Sequence, residues 1–154
     1  MEGWLPVKVN ITKKEYEKLL DVFYIADWIM NGFYSEDRVE TKVYRDLEQK
    51  FFSLAKEFGV DDLVELDREE GEFYPTRKFE EESVALEFIE EYEEESFWDE
   101  LIERLAKRDF LEKHGPDVEN IVLKDKDIQK ELEDLKEKYT REFEENALNK
   151  LRLA

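Results

Sequence analysis

The sequence predicts a mainly α-helical fold, a compact bundle of about five helices, on three observations. Apolar residues recur at three- and four-residue intervals over most of the chain, the spacing that lines one face of a helix. Only five glycines and three prolines punctuate 154 residues. Charged residues make up 44% of the chain, yet eleven Phe, seven Tyr and three Trp remain to fill a core, and aromatic side chains bury large areas. Beside the helices there is room for one or two short strands, at the N-terminus or in a connector.

In chain order, Val7, Val9 and Ile11 alternate with Lys8 and Asn10, which predicts a short half-buried strand. Thr12 followed by Glu15 has the form of a capping box. Tyr16, Leu19, Leu20, Phe23 and Met30 then continue at helical spacing to Gly32, predicting a first helix over 13–31. Its second half also carries Val22, Ile25, Trp28 and Ile29 on the other side, so it must be covered on two faces, by its own fold or by a partner chain. A second helix is expected over 37–58, with Val39, Val43, Leu47, Phe51, Leu54, Ala55 and Phe58 as its stripe and Gly59 to end it. Residues 60–76 mix short apolar runs with Gly71 and Pro75, predicting a turn of helix and a structured loop pinned by Phe73, Tyr74 and Phe79.

A third helix is expected over 81–94. Ser96 with Asp99 suggests a fresh capping box and a fourth helix over 97–113, stopped by His114-Gly115-Pro116. Ile121, Val122 and Leu123 lie in a connector readable as strand or loop. A last helix, capped by Asp125 or Asp127, carries Ile128, Leu132, Leu135, Tyr139, Phe143 and Ala147 as a narrow stripe. No internal repeat or linker divides the chain, so residues 1–154 are read as one domain.

Several chemistries are disfavoured. Cysteine is absent, which removes disulfides, thiolate catalysis and sulfur-ligated metals. No phosphate-cradling glycine motif occurs among the scattered glycines. A net charge of −19 opposes direct nucleic-acid binding, which draws its affinity from Lys and Arg. Sixteen Lys among 24 bases, with only Gln49 and Gln129 as glutamines, lean toward a high-temperature composition. The N-terminus shows no basic segment followed by an apolar run, and the longest apolar stretch, Val22 to Met30, is broken by Asp27. Neither a signal peptide nor a membrane span is expected, and the cytoplasm is the expected location.

The most unusual segment runs from Glu80 to Glu103, with twelve acids and no base. Pairs such as Glu87 with Glu91 and Glu90 with Glu94 stand one helical turn apart, where like charges repel. Glu90, Glu91, Glu93, Glu94 and Glu95 are therefore candidate contacts for a basic partner, against the reading of a solvated helix face. The alternating Asp or Asn and Gly of a calcium loop are missing. Glu91 with Glu94 and Glu100 with Glu103 have the i, i+3 form of helix-borne metal sites, but so many acids produce that spacing by composition alone, and the only histidine, His114, stands at a helix end. That position suits a C-terminal residue favoured by the helix dipole. Asp27 inside an apolar segment invites a burial-raised pKa, set against a simple pairing at the helix edge. Trp28, Phe33 and Tyr34, with Tyr24, could form an aromatic interaction patch or belong to the core.

These readings together predict a non-enzymatic acidic interaction protein that binds another macromolecule, in particular a basic protein surface, without cofactor, metal or catalytic residues. A homodimer would cover the doubly apolar first helix. The alternative is a metal-dependent hydrolase using helix-borne carboxylates.

Overall fold

Threonine 12 opens the first helix as its sequence requires. A computed structural model describes residues 6–36, 38–116 and 125–152, and in it α1 spans Lys13–Asn31. The Thr12 backbone N–H donates to Glu15 Oε2 at 2.8 Å, and the Glu15 N–H donates to Thr12 Oγ1 at 3.3 Å, so two otherwise orphaned donors are satisfied reciprocally. The remaining elements are α2 (Lys42–Phe52), β1 (Val64–Asp67), β2 (Glu72–Pro75), α3 (Arg77–Glu82), α4 (Ala85–His114) and α5 (Lys126–Asn146). The protein is mainly α, with five helices and one two-stranded antiparallel sheet among the described residues.

The chain divides into two compact units, Met1–Glu90 and Glu91–Ala154. In the first, Tyr16, Leu20, Phe52, Ala55, Val60, Val64 and Phe79 form a buried cluster, joined by Phe23, Tyr24, Phe51, Phe58 and Phe73. Burying a side chain the size of Leu20 or Phe52 contributes roughly 1.5–3 kcal/mol. Tyr16 stacks on Phe58 with ring centroids 4.1 Å apart and donates its hydroxyl to the Phe51 carbonyl at 2.6 Å. Desolvation pushes that phenol up to about 12. Asp21, also buried, accepts from Lys18 Nζ at 2.9 Å and from Ser83 Oγ at 2.6 Å. Ser83 Oγ in turn accepts from the Ala85 N–H at 3.0 Å, which places a polar group at the start of α4.

In the second unit, Trp98 meets Phe143 at 5.5 Å, Lys136 reaches Glu103 at 2.7 Å, and Lys113 pairs with Glu131. These partners descend along α5 as they ascend along α4, so the two helices run antiparallel. Ala106, Phe110 and Phe143 are buried. Tyr139 donates to Asp109, which also accepts from Arg108 at 2.7 Å, and this network draws the Asp109 carboxyl below its ordinary range, the Tyr139 hydrogen bond contributing most. Asp125 caps α5, accepting from the Asp127 N–H at 2.9 Å. His114 ends α4 with Nε2 3.1 Å from Glu131, the helix-end position its sequence context indicates.

Four expectations are corrected. Residues 6–12 form no strand, and Val7 and Val9 are exposed; among the described residues no strand pairs with them to receive their alternation. The second helix is shorter than 37–58: its end tightens after Phe52 into consecutive turns, with the Ala55 N–H bonded to the Phe52 carbonyl at 3.1 Å and Gly59 at φ 68° closing the run. Where a structured loop was expected, β1 pairs with β2 in the register Val64↔Pro75 to Asp67↔Glu72. Gly71 at φ 74° takes the left-handed turn position, its N–H bonded to the Asp67 carbonyl at 2.8 Å. Finally, no break occurs at Ser96. One helix runs from Ala85 to His114, since neither Gly nor Pro interrupts the segment and a serine can remain within a helix. The connector residues Ile121, Val122 and Leu123, and the residue Asp37, lie outside the described residues.

Candidate functional site

A cleft of about 620 Å³ opens in the first unit between α1, α2 and β2. Its α1 wall presents Tyr24, Asp27, Trp28 and Asn31, its α2 wall Arg45, Glu48, Gln49 and Phe52, and its third side Glu72 to Pro75. The walls are tied together by hydrogen bonds. Gln49 donates to the Phe73 carbonyl at 2.9 Å and accepts from the Phe73 N–H at 2.7 Å, fixing β2 against α2. Asn31 Nδ2 donates to Asp27 at 2.7 Å, and Asn31 Oδ1 accepts from Thr41 Oγ1 at 2.8 Å. Arg38 donates to the Met30 carbonyl at 2.9 Å and lies 4.3 Å from the centre of the Tyr34 ring.

Charge in the cleft is only partly compensated. Arg45 pairs with Glu72 and reaches Tyr74 Oη at 3.2 Å, and Lys42 pairs with Asp46 at 3.0 Å. Glu72 is drawn below its ordinary range chiefly by the Arg45 hydrogen bond, and Tyr74 is pushed up, first by its hydrogen bond to Glu70. Asp27 and Glu48 form no ion pair among the described residues. Burial pushes the Glu48 carboxyl up to about 7, helped by the Asp27 charge and opposed by Arg45 and Gln49.

Sequence reasoning singled out Asp27 as the acid in an apolar setting, and it lines the cleft; Glu48, which the sequence reading did not single out, lines it as well, and burial raises its carboxyl. A signal for Glu48 existed: Thr41 at the N-cap of α2 and Arg45, Glu48 and Phe52 within it recur at helical spacing and are buried or half-buried. The apolar series Val39, Val43 and Leu47, predicted to face the core, is 86%, 67% and 45% exposed instead. Across from it on α1, Val22 and Ile29 are exposed as well, and a small apolar groove joins Val22, Ala26 and Met30 to Tyr44 and Leu47.

Of the aromatic residues, Trp28 and Tyr34 line the cleft, while Phe33 is exposed with its ring 6.1 Å from that of Trp28. Glu90, in the first unit's part of α4, and Glu91, Glu93, Glu94 and Glu95, in the second unit, are all exposed. Glu91, Glu93, Glu94, Glu95 and Asp99 form no ion pair among the described residues, although Glu94 accepts from the Trp98 indole at 2.6 Å. Tyr92 and Phe97 are 59% and 47% exposed in the same stretch, a feature that the acid count alone did not reveal. No group of three acids or histidines converges to hold a metal ion among the described residues, and no helix there is long and apolar enough to cross a membrane.

Comparison with protein-family models, with curated proteins and with solved structures gave no match.

Proposed function

We propose that this chain is a non-enzymatic interaction protein whose acidic, aromatic-bearing helix receives a basic protein surface. The observation that supports it is the stretch from Glu91 to Asp99, where five acids that form no ion pair among the described residues flank the exposed rings of Tyr92 and Phe97. Carboxylates steer and select a basic partner, and aromatic rings supply the contact area that dominates interface affinity. Direct nucleic-acid binding is not part of this reading, because a net charge of −19 repels phosphates. Neither is metal-dependent hydrolysis, since no observation favours a ligand set. Affinity purification from the native host at moderate salt tests the proposal. A basic protein retained by the wild type, and lost when Glu91, Glu93, Glu94 and Glu95 become Gln, is expected. Identical recovery with both proteins would remove it.

A second copy of the chain is the proposed occupant of the apolar face formed by Val22 and Ile29 on α1 and Val43, Tyr44 and Leu47 on α2. Of these, Val22, Tyr44 and Leu47 are exposed and line one small apolar groove, and exposed apolar patches mark interaction sites. Charge opposes self-association less in this part of the chain than in the rest. Residues 13–52 hold seven bases against nine acids, whereas the rest of the chain holds 17 against 34, so two copies approach here with the least mutual repulsion.

A further inference from the structure

The cleft of the first unit is built more elaborately than a crevice between packed elements needs to be. Its volume of about 620 Å³ falls in the size range of small-molecule sites, roughly 300–1,000 Å³. Three sides are locked by the Gln49 bonds to Phe73 and by the Asp27–Asn31–Thr41 chain, so the space is formed before any ligand arrives. The cations that line it are occupied: Arg45 with Glu72 and Tyr74, Lys42 with Asp46, and Arg38 with a backbone carbonyl and the Tyr34 ring. Asp27 and Glu48, on facing helices, form no ion pair among the described residues, although the Arg45 charge acts on Glu48.

We propose that this cleft binds a primary alkylammonium ion, with the carboxylates of Asp27 and Glu48 accepting its N–H bonds and Trp28 and Tyr24 packing its alkyl chain. An ammonium group presents three donors and no acceptor, which matches a site with two anionic acceptors and the neutral oxygens of Asn31 and Thr41 nearby. The aromatic wall suits a cation, since ring faces attract positive charge, and Tyr34 already holds the Arg38 guanidinium at 4.3 Å. An anionic ligand would meet Asp27 and Glu48 without a spare base to hold it. Burial and the Asp27 charge raise the Glu48 carboxyl, a perturbation of the kind that clusters at functional sites. This inference concerns the first unit alone and does not depend on the reading of residues 91–99.

Calorimetric titration of the intact chain with putrescine, at about pH 8 and about 0.15 M salt so that diffuse attraction is screened, tests it. Saturable one-site binding is expected, weakened roughly tenfold or more by Asp27→Asn and by Glu48→Gln, the loss of one charge-assisted contact. Glu93→Gln, Glu94→Gln and Glu95→Gln together should leave the affinity unchanged, which separates the cleft from general attraction to an acidic chain. Lowering the pH below about 7 should weaken binding as Glu48 takes up a proton under the influence of Asp27 on α1, Arg45 on its own helix and Glu72 on β2; Glu48→Gln should remove that dependence. A second arm with Nα-acetyl-lysine amide identifies the source: tighter binding of putrescine indicates a free amine, tighter binding of the lysine derivative a protein side chain. No saturable heat from either, equal affinity for uncharged 1,4-butanediol, or indifference to both cleft substitutions would overturn the proposal. Glu48→Gln is expected to fold at least as stably as the wild type, so its result reads on binding.

Discussion

Asp27 on α1 and Glu48 on α2 line one cleft from facing helices, and neither has an ion-pair partner among the described residues. Burial and the Asp27 charge hold the Glu48 carboxyl at about 7, against an ordinary value of 4.5. Between those values the folded chain keeps a proton that the unfolded chain releases, so stability falls as pH rises from about 4.5 to about 7 and is level beyond. After screening by the solvent on its exposed side, the loss is about 1–2 kcal/mol. Urea unfolding at several pH values should show this slope in the wild type, and Glu48→Gln should flatten the Glu48 contribution and stabilise the protein by a similar amount above pH 7. An unchanged slope would place Glu48 in a more solvated setting.

Leu47 and Val43 are exposed in the monomer, so charging them leaves the fold intact and acts only on association. Sedimentation of the wild type should show a concentration-dependent dimer, and Leu47→Asp or Val43→Asp should return it to monomer with an unaltered melting temperature at low concentration. A wild type that stays monomeric at high concentration would refute the proposed face.

The unbroken α4 distinguishes two positions for Phe97. Were Ser96 an N-cap, Phe97 would be the first helical residue, where proline is tolerated. Within a continuous helix, proline removes a backbone hydrogen bond and clashes with the preceding turn, at about 3 kcal/mol or more. Phe97→Pro should therefore destabilise the protein by roughly that much beyond Phe97→Ala, as read by chemical denaturation and by lost helical circular dichroism.

The Tyr16 hydroxyl bonds to the Phe51 carbonyl at 2.6 Å inside the core. Tyr16→Phe removes this bond while the Phe51 carbonyl still accepts from the Leu54 N–H at 3.0 Å, and should cost about 0.5–1.5 kcal/mol. Thr12→Ala, which breaks the reciprocal cap of α1, should cost about 1 kcal/mol. Because the Tyr16 N–H bonds to the Thr12 carbonyl at 2.9 Å, the two sites are neighbours, and melts of the single and double variants should reveal a coupling between cap and core bond.

Local signals carried a large part of the fold. The capping box of Thr12 with Glu15 and the stop at Gly32 delimit α1 at Lys13–Asn31, and Asp125 opens α5 as its position suggested. These features are short-range, made between residues three or four apart, so they are written in adjacent letters of the chain. The exposure of Glu90 to Glu95 was legible for a related reason, since so many uncompensated charges have no low-energy place in a core.

Tertiary structure decided what periodicity could not. The pattern of α2 names an apolar stripe through Val39, Val43 and Leu47 and a polar one through Arg45 and Glu48, but which stripe faces inward depends on the elements packed beside it. Here β2 brings Glu72, Tyr74 and the Phe73 backbone to Arg45 and Gln49, and those long-range partners draw the polar side into the cleft. The hairpin itself was hidden because β1 and β2 are four residues each, too short for alternation to declare them until one pairs with the other. The sequence by itself determined that helices form and that acids cover them; the packing of α1, α2 and β2 alone decided that Asp27 and Glu48 would face a common space, because nothing in a linear spacing of twenty-one residues brings two carboxylates together.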